Sequence, residues 1–221
     1  MTVAAIVLVP DSAAALSDLD GEPTIRRLVH SAWAGGALPI VVVVSDGDSA
    51  LAAAVAELPA VVANARAGVA PGAAWFVFGL GTAVEAVTET TAALLWPFRY
   101  GWVDPETVTS LVEAHGATPD EILRPAFQGQ PGFPILVPTA LESRLDTSPG
   151  VHGKEAVESL MAAGVPFRII ELGDPGITHD ISTRRSDLPG YQGPPEPAGG
   201  PPAEWNAELA ASAERSGESV V

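Results

Sequence analysis

Chemistry on phosphates needs carboxylates that hold a divalent metal, or cations and backbone N–H groups that grip the anion directly. This 221-residue sequence offers few of either cation: Lys154 is the single Lys, and the formal net charge is -16. Asp11, Asp18 and Asp20 share the segment Pro10–Glu22 with one Gly, Gly21, and no Lys or Arg precedes Arg26. Such a loop repels a triphosphate, and neither GxxxxGK[ST] nor GxGxxG is present. His179-Asp180 is the best polar pair, an imidazole beside a carboxylate, and is a candidate for binding. His152-Gly153-Lys154 opens a helix and is a weaker candidate. His30 reads as a surface residue, and His115 as a cation favourably placed near a helix C-terminus. The four His are too scattered for a His-rich metal centre, and the lack of Cys excludes thiolate ligands, thiol nucleophiles and disulfides. No G-x-S-x-G elbow exists, which excludes that serine-hydrolase arrangement. The acidity also disfavours nucleic acid as a partner.

These residues must be positioned by alternating strands and helices. Val3–Val9 and Ile40–Ser45 are apolar, β-branched runs, as expected of parallel strands buried on both faces. Between them, Ile25, Leu28, Val29, Ala32 and Trp33 follow helical spacing after Pro23 and before Gly35-Gly36. Further helices are expected at Ser49–Leu58, from a capping box at Thr82-x-x-Glu85 to Thr90, from Asp104-Pro105-Glu106 to His115, at Thr139–Leu145, at Lys154–Ala163, and as a last turn at Asp180–Leu188. Strands are expected at Ala60–Val62, Ala92–Phe98, Pro134–Val137 and Phe167–Leu172. The pattern is α/β, a Rossmann-like, three-layer, mostly parallel sheet. Ligands in such sheets sit at the carboxyl ends of strands, here the loops after Val9, Val44, Phe98 and Leu172. Trp96, Phe98, Tyr100 and Trp102 alternate across one of these ends and could fill a pocket there.

The domain is expected at 1–188. Pro189–Val221, with six Pro, five Gly and five Glu against one Arg, reads as a flexible acidic tail. A short helix at Ala203–Arg215, anchored by Trp205 and Leu209, is the alternative there. The N-terminus lacks a basic region and a cleavage context, and no run is long enough to span a membrane, so a soluble cytoplasmic protein is expected. The richness in Ala, Gly, Pro and Arg suggests a high-GC bacterial coding bias.

Several segments together resemble the nucleotidyltransferases of molybdenum-cofactor maturation, the molybdopterin cytidylyl- and guanylyltransferase (MobA-like) type. Val103–Val108, VDPETV, resembles a PETV-like helix start after the family's central strand. Arg124–Pro138, RPAFQGQPGFPILVP, resembles its P-x-[YF]-x-G-x-x-G-[HF]-P-[VI]-L-[FV] segment. Gly173–Leu188 resembles the closing D-x-G-x-x-x-DIDTPEDL. DGEPTIRRLVHSAWAGG and GLGTAVEAV (Gly79–Val87) resemble two first-half motifs. The resemblance covers about residues 3–188. It implies the nucleotide-diphospho-sugar transferase fold and a nucleotide pocket at Asp11, Ser12, Gly79, Ala83, Arg99, Tyr100, His179 and Asp180.

It also exposes departures. The family's LAAGxSxRMG, followed by Lys, is replaced by LVPDSAAALSDLD. Its metal-holding D-x-P triplet is matched by Arg99-Tyr100-Gly101, so a guanidinium stands where a carboxylate is expected. The second metal carboxylate is retained at Asp180, the motif Ser becomes Ala83, and the motif His becomes Phe133. Each lost electrostatic group costs on the order of 3 kcal/mol of transition-state stabilisation. The expected function is therefore a nucleotidyltransferase-like protein without transfer, binding a nucleotide or a protein partner as a scaffold in cofactor or molybdoenzyme maturation. If Arg99 and Asp180 face each other, the guanidinium replaces the metal as counter-charge through a bidentate pair. The alternatives are an active Mg²⁺-dependent enzyme moving CTP or GTP onto a molybdopterin or related phosphate acceptor, and an unrelated α/β binding module.

Overall fold

The computed structural model describes residues 1–45, 49–65 and 68–193. Its β-branched runs form the centre of an eight-stranded sheet. In chain order the elements are β1 (Thr2–Val9), α1 (Ser12–Ala15), β2 (Asp18–Leu19), β3 (Glu22–Pro23), α2 (Thr24–Ala34), β4 (Ile40–Val44), α3 (Ser49–Val55) and β5 (Ala60–Asn64). Then come α4 (Ala73–Ala86), β6 (Thr90–Pro97), α5 (Pro105–Ala117), β7 (Ile122–Phe127), β8 (Gln130–Pro131), β9 (Ile135–Pro138), α6 (Gly153–Ala162) and β10 (Phe167–Glu171). The strand order is β10-β7-β9-β6-β1-β4-β5, with β8 pairing β7. β9 runs antiparallel to both neighbours, while β1, β4, β5 and β6 are mutually parallel.

Alternation along β1 sorts its side chains into two cores. Val3, Ala5, Val7 and Val9 face α2, α3 and α5. Ala4, Ile6 and Leu8 face α4 and α6, where Trp75 and Phe76 are almost fully buried. This is the three-layer arrangement of the nucleotide-diphospho-sugar transferase fold. β4 and β5 extend the sheet to one side of β1, and β6 then returns to the other. The reversal leaves a crevice between the carboxyl ends of β1 and β6, the place where open α/β sheets bind ligands.

Several expectations need correction. The helix expected to open at Thr82 begins at Ala73, because Gly72 rather than Thr82 stands at its N-terminus. The Thr82 hydroxyl donates back to the Phe78 carbonyl in mid-helix, 3.1 Å away. Residues 180–188 form no α-helix; a 3-10 turn covers Arg185–Asp187 only, and another covers Pro175–Ile177. β7 escapes sequence reading because Arg124 and Pro125 interrupt its apolar run. The proline is tolerated because pairing with β9 involves Leu123 and pairing with β8 begins at Ala126, so no partner on that side needs a Pro125 N–H. Arg124 is buried and donates to Glu158 of α6 at 2.9 Å.

The chain remains attached beyond Leu188, since Gln192 N–H donates to the Gly173 carbonyl at 2.7 Å. The helix considered at Ala203–Arg215, with Trp205 and Leu209, lies outside the described residues, as does the tail from 194 onward. No described helix is long and apolar enough to cross a membrane.

His115 also differs from expectation. It is fully buried, not a solvated cation at a helix end. Its Nε2 lies 3.0 Å from the Thr91 hydroxyl, and Nδ1 has no hydrogen-bond partner among the described residues. Burial lowers its pKa from 6.5, the nearby Asp120 opposing only weakly. A lowered folded-state pKa means the unfolded chain binds the proton more readily. Stability is therefore full above pH 6.5 and is lost as pH falls through the folded-state value. Thermal melting across pH 7.5 to about 5 should show this slope in the native chain and a shallower one in His115→Gln.

Candidate functional site

β6 carries the site. Its last residues are packed rigidly: Trp96 is fully buried, and its indole Nε1 donates to the Tyr100 carbonyl at 3.1 Å. That bond folds the chain over after Pro97 and sends Arg99 outward. Across from it, the segment after the Pro175–Ile177 turn returns Asp180 to the end of β6, where Ile181 N–H donates to the Arg99 carbonyl at 2.8 Å.

The two charges meet directly. Arg99 Nη2 lies 2.7 Å and Nε 3.2 Å from Asp180 Oδ2. Both donors converge on one oxygen, so the expected bidentate fork is corrected: the other oxygen, Oδ1, accepts the Ser182 N–H at 2.9 Å and the Ser182 hydroxyl. Burial acts to raise the Asp180 carboxyl, but Ser182 and Arg99 outweigh it and hold it below the usual range. The same pairing raises Arg99 above its ordinary value. Tyr100 is raised by its own burial and then by Asp180. A Mg²⁺ does not fit this donor set. One Asp180 oxygen is neutralised by a guanidinium and the other is occupied by Ser182, and no group of three or more His, Cys, Asp or Glu among the described residues could hold a metal.

Beside Arg99 lies a cavity of about 250 Å³ at the carboxyl ends of β1 and β6. Leu8, Leu95, Pro97, Phe98 and Phe133 give it apolar walls. Its polar side chains are Arg99, His152 and Lys154, and the N-termini of α4 and α6 open onto it through Gly72 and Gly153. Helix N-termini carry partial positive charge, and α4 has no acidic residue in its first turn to offset it. In α6, Glu155 turns back to accept the His152 N–H at 3.3 Å. In a chain this acidic, the corner gathers two helix N-termini and two cations, Arg99 paired with Asp180 and Lys154 at 3.8 Å from Glu158. It suits a ligand with an apolar or flat body and an anionic end.

The other candidate residues divide. Asp11 caps α1, accepting the Ala14 N–H at 3.0 Å, and Ser12 begins that turn. Pro10 reaches the cavity wall, but Asp11 and Ser12 do not. The rest of the loop closes on itself as a hairpin of β2 and β3. Asp20 and Gly21, at φ 62 and 95, make its two-residue turn, and Leu19 plugs into the core. The Asp-Gly pair was the available signal for this hairpin. Gly79 and Ala83 lie mid-α4, buried against the sheet and outside the lining of this cavity. A Cβ on Gly79 would press on Ile6 and Val43, so this glycine sets the helix-to-sheet distance. His179 directs Nδ1 to the Pro175 carbonyl, 2.8 Å away, and meets Phe127 edge-on, which gives it a bracing role.

The expected aromatic filling does not occur. Trp96 packs in the opposite core, Tyr100 stacks on Phe133 at 4.7 Å, and Trp102 faces elsewhere; only Phe98 lines the cavity. The contribution of His152-Gly153-Lys154 to the lining was visible in the sequence only as a weak candidate. The structure also shows the role of Asp174, which sequence reading missed. Buried beneath the site, it accepts from Asp104 N–H (2.8 Å), the Thr107 hydroxyl (2.8 Å) and Gly176 N–H (2.7 Å).

Comparison with known proteins agrees with this architecture. The MobA-like NTP transferase domain matches residues 13–166. Among solved structures, a nucleotidyl transferase from Methanothermobacter thermautotrophicus superposes with a TM-score of 0.67 at 15% identity, covering 84% of this chain and 94% of that one. A 4-diphosphocytidyl-2C-methyl-D-erythritol synthase gives 0.62 at 17% identity, with coverages of 84% and 94%. A manganese complex of Rv0371c from Mycobacterium tuberculosis gives 0.59 at 19% identity, with coverages of 77% and 88%. At these identities the structural likeness establishes the fold. Comparison with curated protein sequences gives no significant match.

Proposed function

The chain belongs to the MobA-like NTP transferase domain family, and we propose that within it this chain is a binding or scaffold protein that does not transfer nucleotides. The pathway that fits the resemblance is cofactor or molybdoenzyme maturation in a bacterial cytoplasm. The observation that carries the proposal is the Arg99–Asp180 pair at 2.7 Å. Nucleotidyl transfer concentrates negative charge on the α-phosphate and the departing pyrophosphate, and a bridging metal is the usual means of stabilising it. Here the carboxylate that would share such a metal is already neutralised, and the loop after β1 contributes no cation to the cavity.

Binding is a different matter. The cavity at the β1 and β6 ends retains Arg99, Lys154 and two helix N-termini. These residues can hold the anionic end of a nucleotide-like ligand without metal, while Phe98 and Phe133 accept its flat part. Transfer is tested by incubating the protein with CTP or GTP, Mg²⁺ and molybdopterin and measuring pyrophosphate. No release above the protein-free rate is expected. Pyrophosphate released in proportion to protein concentration would overturn the proposal.

A further inference from the structure

A second cavity, of about 300 Å³, lies between the start of α5, the Pro175–Ile177 turn and residues 188–191. It shares no lining residue with the cavity at the strand ends. At its wall Trp102 is only 6% exposed, and its Nε1 is fixed on the Thr183 carbonyl at 3.0 Å. Two guanidinium carbons lie over this indole, Arg27 at 5.3 Å and Arg185 at 5.9 Å from the ring centre. An aromatic face attracts and orients such cations. Arg27 is further held by its Nε bond to the Gly101 carbonyl at 3.1 Å and has no carboxylate partner among the described residues. Arg185 reaches only the exposed Asp20, at 3.3 Å.

The acidic side chains on the other wall are engaged elsewhere. Asp104 accepts the Glu106 N–H at the start of α5, and Asp174 is surrounded by its three donors. Burial also pushes the Asp174 carboxyl up. Arg27 and Arg185 are the two cations of the lining, and the oxygens of the two carboxylates are turned to backbone and hydroxyl donors. Pro175, Leu188 and Pro189 supply apolar surface next to them.

We propose that this cavity binds a small molecule carrying an oxyanion, carboxylate or phosphate, on an apolar body, with Arg27 and Arg185 gripping the oxyanion and Trp102 positioning both. Arg suits this role because its planar fork pairs with either oxyanion. The inference is independent of the reading of the strand-end cavity.

The test titrates the full chain with benzoate, phenyl phosphate and, as a reversed-charge control, benzylamine. Thermal stability and the indole N–H resonance of Trp102, assigned through Trp102→Phe, are followed. A saturable shift of the Trp102 resonance with either anion, and none with benzylamine, is expected; the tighter of the two anions identifies carboxylate or phosphate as the preferred group. Arg27→Gln and Arg185→Gln should each weaken binding by about tenfold, the worth of one charge-assisted hydrogen bond. Arg99→Gln should leave it unchanged, which separates this cavity from the first. A Trp102 resonance that stays put with both anions would overturn the proposal even where a variant fails to fold. Equal responses to benzylamine, or loss of binding only in Arg99→Gln, would also overturn it.

Discussion

Asp174→Ala is expected to destabilise the fold by about 3 kcal/mol, measured as a lowered urea midpoint at pH 7. Two effects oppose each other at this residue. Burying a carboxylate is costly, and burial raises its pKa. Removing it, however, leaves three donors, Asp104 N–H, the Thr107 hydroxyl and Gly176 N–H, facing a hole. Each unsatisfied buried donor costs roughly 1–3 kcal/mol. Three of them outweigh the relief of one desolvated charge, especially as two belong to the start of α5 and the third to the turn that returns Asp180 to the site. Asp174→Asn keeps the volume and one acceptor oxygen, so it should lose about half as much. A raised folded-state pKa also fixes the pH sign. The proton-linked part of its contribution is fully present below pH 3.8 and is lost as pH rises through the folded-state value, while the three accepted hydrogen bonds remain at pH 7 and set the loss in Asp174→Ala.

Arg99→Asp should give the protein a metal response that it otherwise lacks. The substitution places a carboxylate opposite Asp180, at the end of β6, and frees Asp180 Oδ2 from its guanidinium partner. Two facing carboxylates repel each other without metal, and together they offer a divalent cation the hard oxygen ligands it prefers. Thermal stability of the variant should fall slightly in EDTA and rise with added Mn²⁺ or Mg²⁺. At a metal concentration a hundredfold above Kd the gain is about 2.7 kcal/mol by linkage. The native chain should show no matching rise, and Arg99→Gln, which removes the cation without adding a ligand, should show little. A metal response as large in the native chain as in the variant would contradict the role given to Arg99.

The sheet and most helices were legible because their signals are local. Val3–Val9 and Ile40–Val44 are too continuously β-branched to be anything but central strands, and Asp104-Pro105 starts α5 as its residue types require. What escaped depends on contacts distant in sequence. α4 begins at Ala73, after Gly72, because the backbone there closes on Val151: Ala73 N–H donates to the Val151 carbonyl at 3.1 Å. Nothing local marks that start, whereas Thr82-x-x-Glu85 carries a capping-box pattern; the placing of Gly79 and Ala83 at the pocket rests on family resemblance alone. β7 was hidden by Pro125 and by a charge, Arg124, whose partner Glu158 is 34 residues away. The Arg99–Asp180 pair, 81 residues apart, could be anticipated only through family resemblance; spacing alone could not link the two. The strand-end cavity depends on Lys154 and on the α4 and α6 N-termini, which only the tertiary fold brings to Arg99.

The most direct test of guanidinium in place of metal is the electron paramagnetic resonance spectrum of free Mn²⁺ titrated with the native protein in the presence of GTP, referenced to GTP alone. Replacement of the metal by Arg99 predicts that the protein leaves the Mn²⁺ signal where GTP alone sets it, at protein concentrations up to the millimolar range. A protein-dependent, saturable loss of that signal with a stoichiometry near one Mn²⁺ per chain, abolished in Asp180→Asn, would show that Asp180 still holds a metal and would contradict it.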